Sequence, residues 1–120
     1  MSDSNYNCIY ILQSLPHGEK QTGSRLHEDI EALIVGTGKN FQAFLREIQT
    51  RQDFFDTLSE IADAVSAGVR PILQIECHGS ENKDGLILCT PTSESFVSWD
   101  EMRKAIIPIN NLSEPTLTIF

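Results

Sequence analysis

Short apolar runs and helix-spaced apolar positions alternate along the chain. The first run, Cys8-Ile9-Tyr10-Ile11-Leu12, is ended by Pro16 and Gly18 and predicts a buried strand. A polar loop with His17, Gly18 and Gly23 follows. Leu26, Ile30, Leu33 and Ile34 then recur at i, i+4, i+7 and i+8, one face of a helix, with Gly36 and Gly38 as its stop. Residues 41–48 admit two readings. Phe41, Phe44, Leu45 and Ile48 have helical spacing, yet a fresh helix start at Thr50 to Asp53 follows at once, so a strand fits as well. Phe54, Phe55, Leu58, Ile61, Ala62 and Val65 make an amphipathic helix that ends at Gly68.

Pro71-Ile72-Leu73-Gln74-Ile75-Glu76-Cys77 reads as a strand rising to His78-Gly79, apolar enough to be covered on both faces. Asp84-Gly85 marks a turn. Leu86-Ile87-Leu88-Cys89 and Ser95-Phe96-Val97 flank Pro91-Thr92-Ser93-Glu94 as a hairpin. Ser98-Trp99-Asp100-Glu101 is a capping box opening a helix that carries Trp99, Met102, Ala105, Ile106 and Ile109. Pro108 and Asn110-Asn111 close it, and Thr116-Leu117-Thr118-Ile119-Phe120 forms a last strand. Alternating strands and helices predict a single α/β domain over residues 1–120, a three-layer arrangement with a mostly parallel sheet, helices on both faces and a β-hairpin after the His-Gly strand.

Composition narrows the function classes. Nine Lys and Arg stand against 17 Asp and Glu, a net charge of −8, and the cations are scattered singly. That pattern argues against a nucleic-acid partner. The longest apolar runs fall far short of the roughly 20 residues a spanning helix needs, and the polar N-terminus is not a signal peptide. Cys8, Cys77 and Cys89 are an odd count without a CxxC pair, which points to a reducing cytoplasm rather than to disulfides or zinc. No cofactor is implied.

In open α/β sheets the chemistry lies beyond the carboxyl ends of the strands. His78 leaves such an end, and Gly79 after it lets a ligand approach the backbone closely. A histidine there can move protons near neutral pH; a loop histidine that merely caps the strand end is the other reading. Cys77 points to the opposite face from His78, so it reads as a small buried hydrophobe, as do Cys8 and Cys89. His17 reads as a surface histidine. Gly36-Thr37-Gly38-Lys39 fails as a phosphate loop, because Leu33 and Asn40 stand where Gly and Ser or Thr are required. The carboxylates of the helices read as solvated faces.

With these pieces in order the chain resembles the first part of a caspase-like (clan CD) cysteine peptidase domain, most similar to prokaryotic members near the CHAT and metacaspase groups. The resemblance rests on Ile9-Tyr10-Ile11-Leu12, Thr22-Gly23-Ser24-Arg25-Leu26, the strand from Arg70 to His78-Gly79, Asp84-Gly85-Leu86-Ile87-Leu88, Val97-Ser98-Trp99-Asp100-Glu101-Met102, and Asn110 before the last strand. It implies that His78 is the dyad histidine, that the Gly79 N–H helps form an oxyanion hole, and that the segment from Gln21 to Arg25 shapes the pocket for the residue before the scissile bond. Caspases proper carry an arginine just before the Ser/Thr-Gly of that segment to bind aspartate; Gln21 stands there, and Arg25 lies beyond the glycine, so the resemblance leaves the cleavage-site preference open. The resemblance also favours a strand at 41–48. The family's nucleophilic cysteine follows the strand that here is Thr116 to Phe120, and no cysteine follows in this chain. The expectation is therefore the histidine-bearing part of a peptidase, truncated before its nucleophile and acting on a peptide substrate only when completed by a downstream cysteine. The alternative is a catalytically inactive interaction module that binds a protein partner. Either way, Thr116 to Phe120 would be an unprotected strand open to self-association or a second chain.

Overall fold

Strand β1 (Cys8–Ser14) is buried along its whole length, because strands flank both its edges and helices cover both its faces. The computed structural model describes residues 7–16, 18–38, 40–90, 93–112 and 118–119. Its elements run β1, α1 (Thr22–Thr37), β2 (Gln42–Glu47), α2 (Arg51–Ser66), β3 (Pro71–Gly79), β4 (Gly85–Cys89), β5 (Glu94–Ser98), α3 (Trp99–Leu112) and β6 (Thr118–Ile119). Alternation along β1 sorts its side chains. Cys8, Tyr10 and Leu12 join a core with Phe54, Leu58, Ile61 and Val65 of α2, Leu73 of β3, and Ile106 and Ile109 of α3. Ile9, Ile11 and Gln13 face the other way, toward α1. Each large apolar side chain taken out of water there contributes about 1.5–3 kcal/mol.

The sheet is mixed. Its order is β2-β1-β3-β4-β5, with β6 beside the start of β3. β1 runs parallel to β2 and β3, and β6 parallel to β3 at Ile72 and Leu73. β4 pairs antiparallel with the end of β3, and β5 antiparallel with β4. From β1 the chain crosses by α1 to β2 on one side, then by α2 over the opposite face to β3 on the other. The carboxyl ends of β1 and β3 thus form the topological switch point, where open sheets place their sites. No helix among the described residues is long and apolar enough to cross a membrane.

Side chains close both outer edges of the sheet. On β2, His27 Nε2–H donates to the Ala43 carbonyl (3.1 Å) and Arg46 Nη1 to that of Leu45 (3.3 Å). On β5, Arg51 Nη1 donates to the Phe96 carbonyl (2.8 Å), and the Ser98 N–H donates to Glu101 Oε1 (3.1 Å). Arg51 also grips both carboxylate oxygens of Glu101, at 2.9 and 2.6 Å, tying α2 to the first turn of α3.

Several sequence expectations meet the structure here. Residues 42–47 are strand. The expected capping box at Ser98 forms, Ser98 Oγ accepting from the Glu101 N–H (3.1 Å), and the helix start read at Thr50 to Asp53 proves to be a second one, Thr50 Oγ1 accepting from the Asp53 N–H (3.1 Å). The hairpin is β4 and β5. Leu33 corrects the expected apolar face of α1, being 65% exposed, because the helix lies mainly over β2 and β1 near the sheet edge and touches β3 less. α3 runs through Pro108 and ends at Leu112, one residue past the Asn110-Asn111 expected with Pro108 to close it. Packing of Ile106 and Ile109 on either side offsets the hydrogen bond a helical proline removes. Of the last strand, Thr118 and Ile119 pair with β3, while Thr116, Leu117 and Phe120 lie outside the described residues.

Candidate functional site

Three strands meet at the switch point, and their polar residues form a row beneath the start of α1. Gln13 of β1 sits in register between Glu47 of β2 and Glu76 of β3. Its side chain is fully buried, so each amide group needs a partner. Nε2 donates to Glu47 Oε1 (2.7 Å) and Ser24 Oγ (3.1 Å), and Oε1 accepts the Ser24 N–H (2.9 Å). Gly23 lies against this amide: a Cβ there would stand 2.8 Å from Gln13 Oε1. Thr22 Oγ1 donates to Glu76 Oε1 (2.6 Å). The α1 N-terminus is thereby fastened to the sheet by groups from β1 and β3.

His78 lies two residues beyond Glu76 on the same face of β3 and is half exposed. Its Nε2–H donates to Glu19 Oε1 at 2.8 Å. The Ser80 N–H bonds the Gly85 carbonyl (2.9 Å), so Ser80 and Gly85 form a bonded pair of the antiparallel ladder. Alternation then makes His78 and Ile87 the next bonded pair, and turns the Gly79 backbone away from β4, toward the end of β1. A Cβ on Gly79 would meet only the Gly85 carbonyl, at 3.8 Å, so the ground beside it is open.

Gln21 is the N-cap residue of α1. Its amide is spent on its own loop, donating to the Pro16 (3.3 Å) and Glu19 (3.0 Å) carbonyls. It borders two cavities. One, of about 110 Å3, lies among Ser14, Glu47, Gln49 and Cys89 at the strand ends. The other, of about 500 Å3, is an open depression with Lys20, Ser24, Arg25 and Glu28. Arg25 is exposed and lies 3.7 Å from Asp29. The structure brings Gln21 and Arg25 together on the second cavity; His78 and Gly79 line neither, and His78 joins Gln21 only through the loop that carries Glu19.

The three cysteines are held as thiols. Burial pushes Cys8 and Cys77 up to about 11, and the neighbouring Cys89 and Glu76 add to the effect on Cys77. Cys89 is raised too, by burial and then by Glu94 and Glu19. Cys77 packs against the core on the face of β3 opposite His78. A thiol so protonated is a poor nucleophile. Among the described residues no group of three or more His, Cys, Asp or Glu could hold a metal ion.

Sequence reasoning passed over Gln13, Glu19 and Glu47. Gln13 carried a signal, a polar amide closing an otherwise apolar strand. Glu19 carried none, since its partner lies 59 residues away. No protein-family model and no curated protein matches the chain.

Proposed function

We propose that the chain is the histidine-bearing part of a caspase-like cysteine peptidase domain, cytoplasmic and acting on peptide bonds with a cysteine supplied by polypeptide outside these 120 residues. One observation carries the reading. At the carboxyl end of β3, a half-exposed imidazole bonded to a carboxylate stands next to a backbone N–H turned away from its ladder. The parallel set β2, β1, β3 and β6, helices on both faces and the hairpin directly after His78-Gly79 support it as the three-layer arrangement of that family.

In this reading the His78 imidazole accepts the thiol proton as sulfur bonds the scissile carbonyl carbon. It returns that proton to the amine nitrogen when the C–N bond breaks. The Gly79 N–H stabilises the oxyanion that develops between these steps. The depression beside Arg25, with Gln21 at its border, takes the substrate side chain before the scissile bond.

The second reading, an inactive module that binds a protein partner, is favoured by the three protonated thiols. One experiment separates them. The protein is expressed from its native locus and treated with a peptidyl acyloxymethyl ketone, which alkylates peptidase cysteines. The peptidase reading expects a labelled product that contains this chain, and loss of the label in His78→Ala. A folded wild-type product that takes no label rejects it and leaves the interaction module.

A further inference from the structure

We infer that Glu19 is the positioning carboxylate of His78, and that the segment between β1 and α1 is tied down to hold it there; this rests on the peptidase reading above. The Glu19 Oε1 to His78 Nε2 distance is 2.8 Å. A carboxylate only accepts, so in the neutral imidazole the proton sits on Nε2, and Nδ1 keeps the lone pair that a thiol proton would need. No described residue hydrogen-bonds Nδ1. Both side chains are about half exposed, at 52% and 50%, and a pair so exposed holds little by itself. What keeps the carboxylate in place is its backbone.

The Glu19 N–H donates to the Pro16 carbonyl (3.1 Å). Gln21 Nε2 reaches back to the carbonyls of both Pro16 and Glu19, closing the turn a second time. Gly18 supplies its left-handed step, with φ +96. Beyond Gln21 the chain is pinned at once, by Thr22 to Glu76 and by Ser24 to Gln13. Glu76 shares the β3 face of His78, so the strand that carries the imidazole also anchors the segment that orients it. Gln21 therefore acts on His78 from a distance, through Glu19.

The test has two arms. In protein labelled with 15N-histidine, wild type should show a slowly exchanging His78 Nε2–H resonance. Glu19→Ala should abolish it, Glu19→Gln should retain it in part because an amide oxygen still accepts, and Gln21→Ala should broaden it. In the locus-encoded protein, ketone labelling should slow on the order of 10- to 100-fold in Glu19→Ala, with partial rescue by Glu19→Gln. A resonance that persists in Glu19→Ala overturns the inference, as does equal labelling of Glu19→Ala and wild type, which leaves the peptidase reading standing. Unlabelled wild type removes the peptidase reading and this role with it.

Discussion

Replacing Gly23 by alanine should weaken the protein, although helix propensity alone gives the opposite sign. Within a helix, glycine to alanine gains up to about 1 kcal/mol. At Gly23 the added methyl would stand 2.8 Å from Gln13 Oε1 and 3.1 Å from Gln13 Cβ. Gln13 has nowhere to retreat: it is fully buried and its amide serves Ser24 and Glu47. Turning the amide away strands the Ser24 N–H and a buried carbonyl oxygen, at about 1–3 kcal/mol. Crowding at the Gln13 Cβ adds about 1 kcal/mol or more. After the propensity gain is subtracted, Gly23→Ala should lose about 1–3 kcal/mol in urea unfolding followed by circular dichroism and Trp99 fluorescence. In a Gln13→Ala background the amide is gone and only the Cβ contact stays, so the crowding and the propensity gain, each about 1 kcal/mol, should nearly cancel and the same substitution should come out close to neutral. The reasoning fails if Gly23→Ala stabilises the wild type, or if it costs the same in both backgrounds.

Other consequences are as direct. The Arg51 hydrogen bond, then the Ser98 N–H, holds the Glu101 carboxyl down to about 2 from an ordinary 4.5. A lowered carboxyl stabilises the fold above its unfolded value and ceases to as pH falls from about 4.5 to about 2. The protection factors of β5 amides, measured by NMR, should fall across that window, and Arg51→Ala should shrink that fall, leaving the part held by the Ser98 N–H. The Cys8 thiol, raised from 9.0 to about 11, favours the fold below pH 9 and loses that effect as pH rises toward 11, so Tm should fall across that range. Iodoacetamide at pH 8 should leave Cys8 unmodified in the folded protein and alkylate it in urea; equal rates would contradict the burial. Thr50→Ala removes the side-chain acceptor of the Asp53 N–H and should cost about 1 kcal/mol in thermal unfolding.

Local signals made much of the fold legible. Cys8 to Leu12, the helix start at Thr50, the Ser98 capping box and the Asp84-Gly85 turn each act through near neighbours, so their chemistry can be read in place. Residues 42–47 mimic helical spacing because both faces of the strand are apolar. Phe44 stacks on Tyr10 at 4.9 Å on one side, while Ala43 and Leu45 lie in register with Ile9 and Ile11, which face α1. Leu33 deceived for another reason: helical periodicity reports an apolar stripe, and only tertiary packing decides how wide a stripe is covered. At the site, His78-Gly79 announced itself as a polar interruption at a strand end. Glu19 and Glu47 sit among solvated carboxylates in sequence, and only parallel register and a long crossover bring them to His78 and Gln13.

The four side chains on the outer strands bear on how the chain survives its own synthesis. A nascent sheet of this order exposes β2 before β5 exists, and strand edges are where folding intermediates recruit one another. His27 lies on α1 and Arg46 on β2 itself, so both reach the ribosome exit no later than the edge they shield. Arg51 of α2 likewise precedes β5. For these three the protector emerges no later than the edge it shields, which favours productive folding over aggregation, while Glu101, on α3, follows the strand it caps by three residues. A chain circularly permuted to begin after α1 would emerge with β2 lacking its His27 cap, and should form more inclusion bodies than the native order at equal final stability.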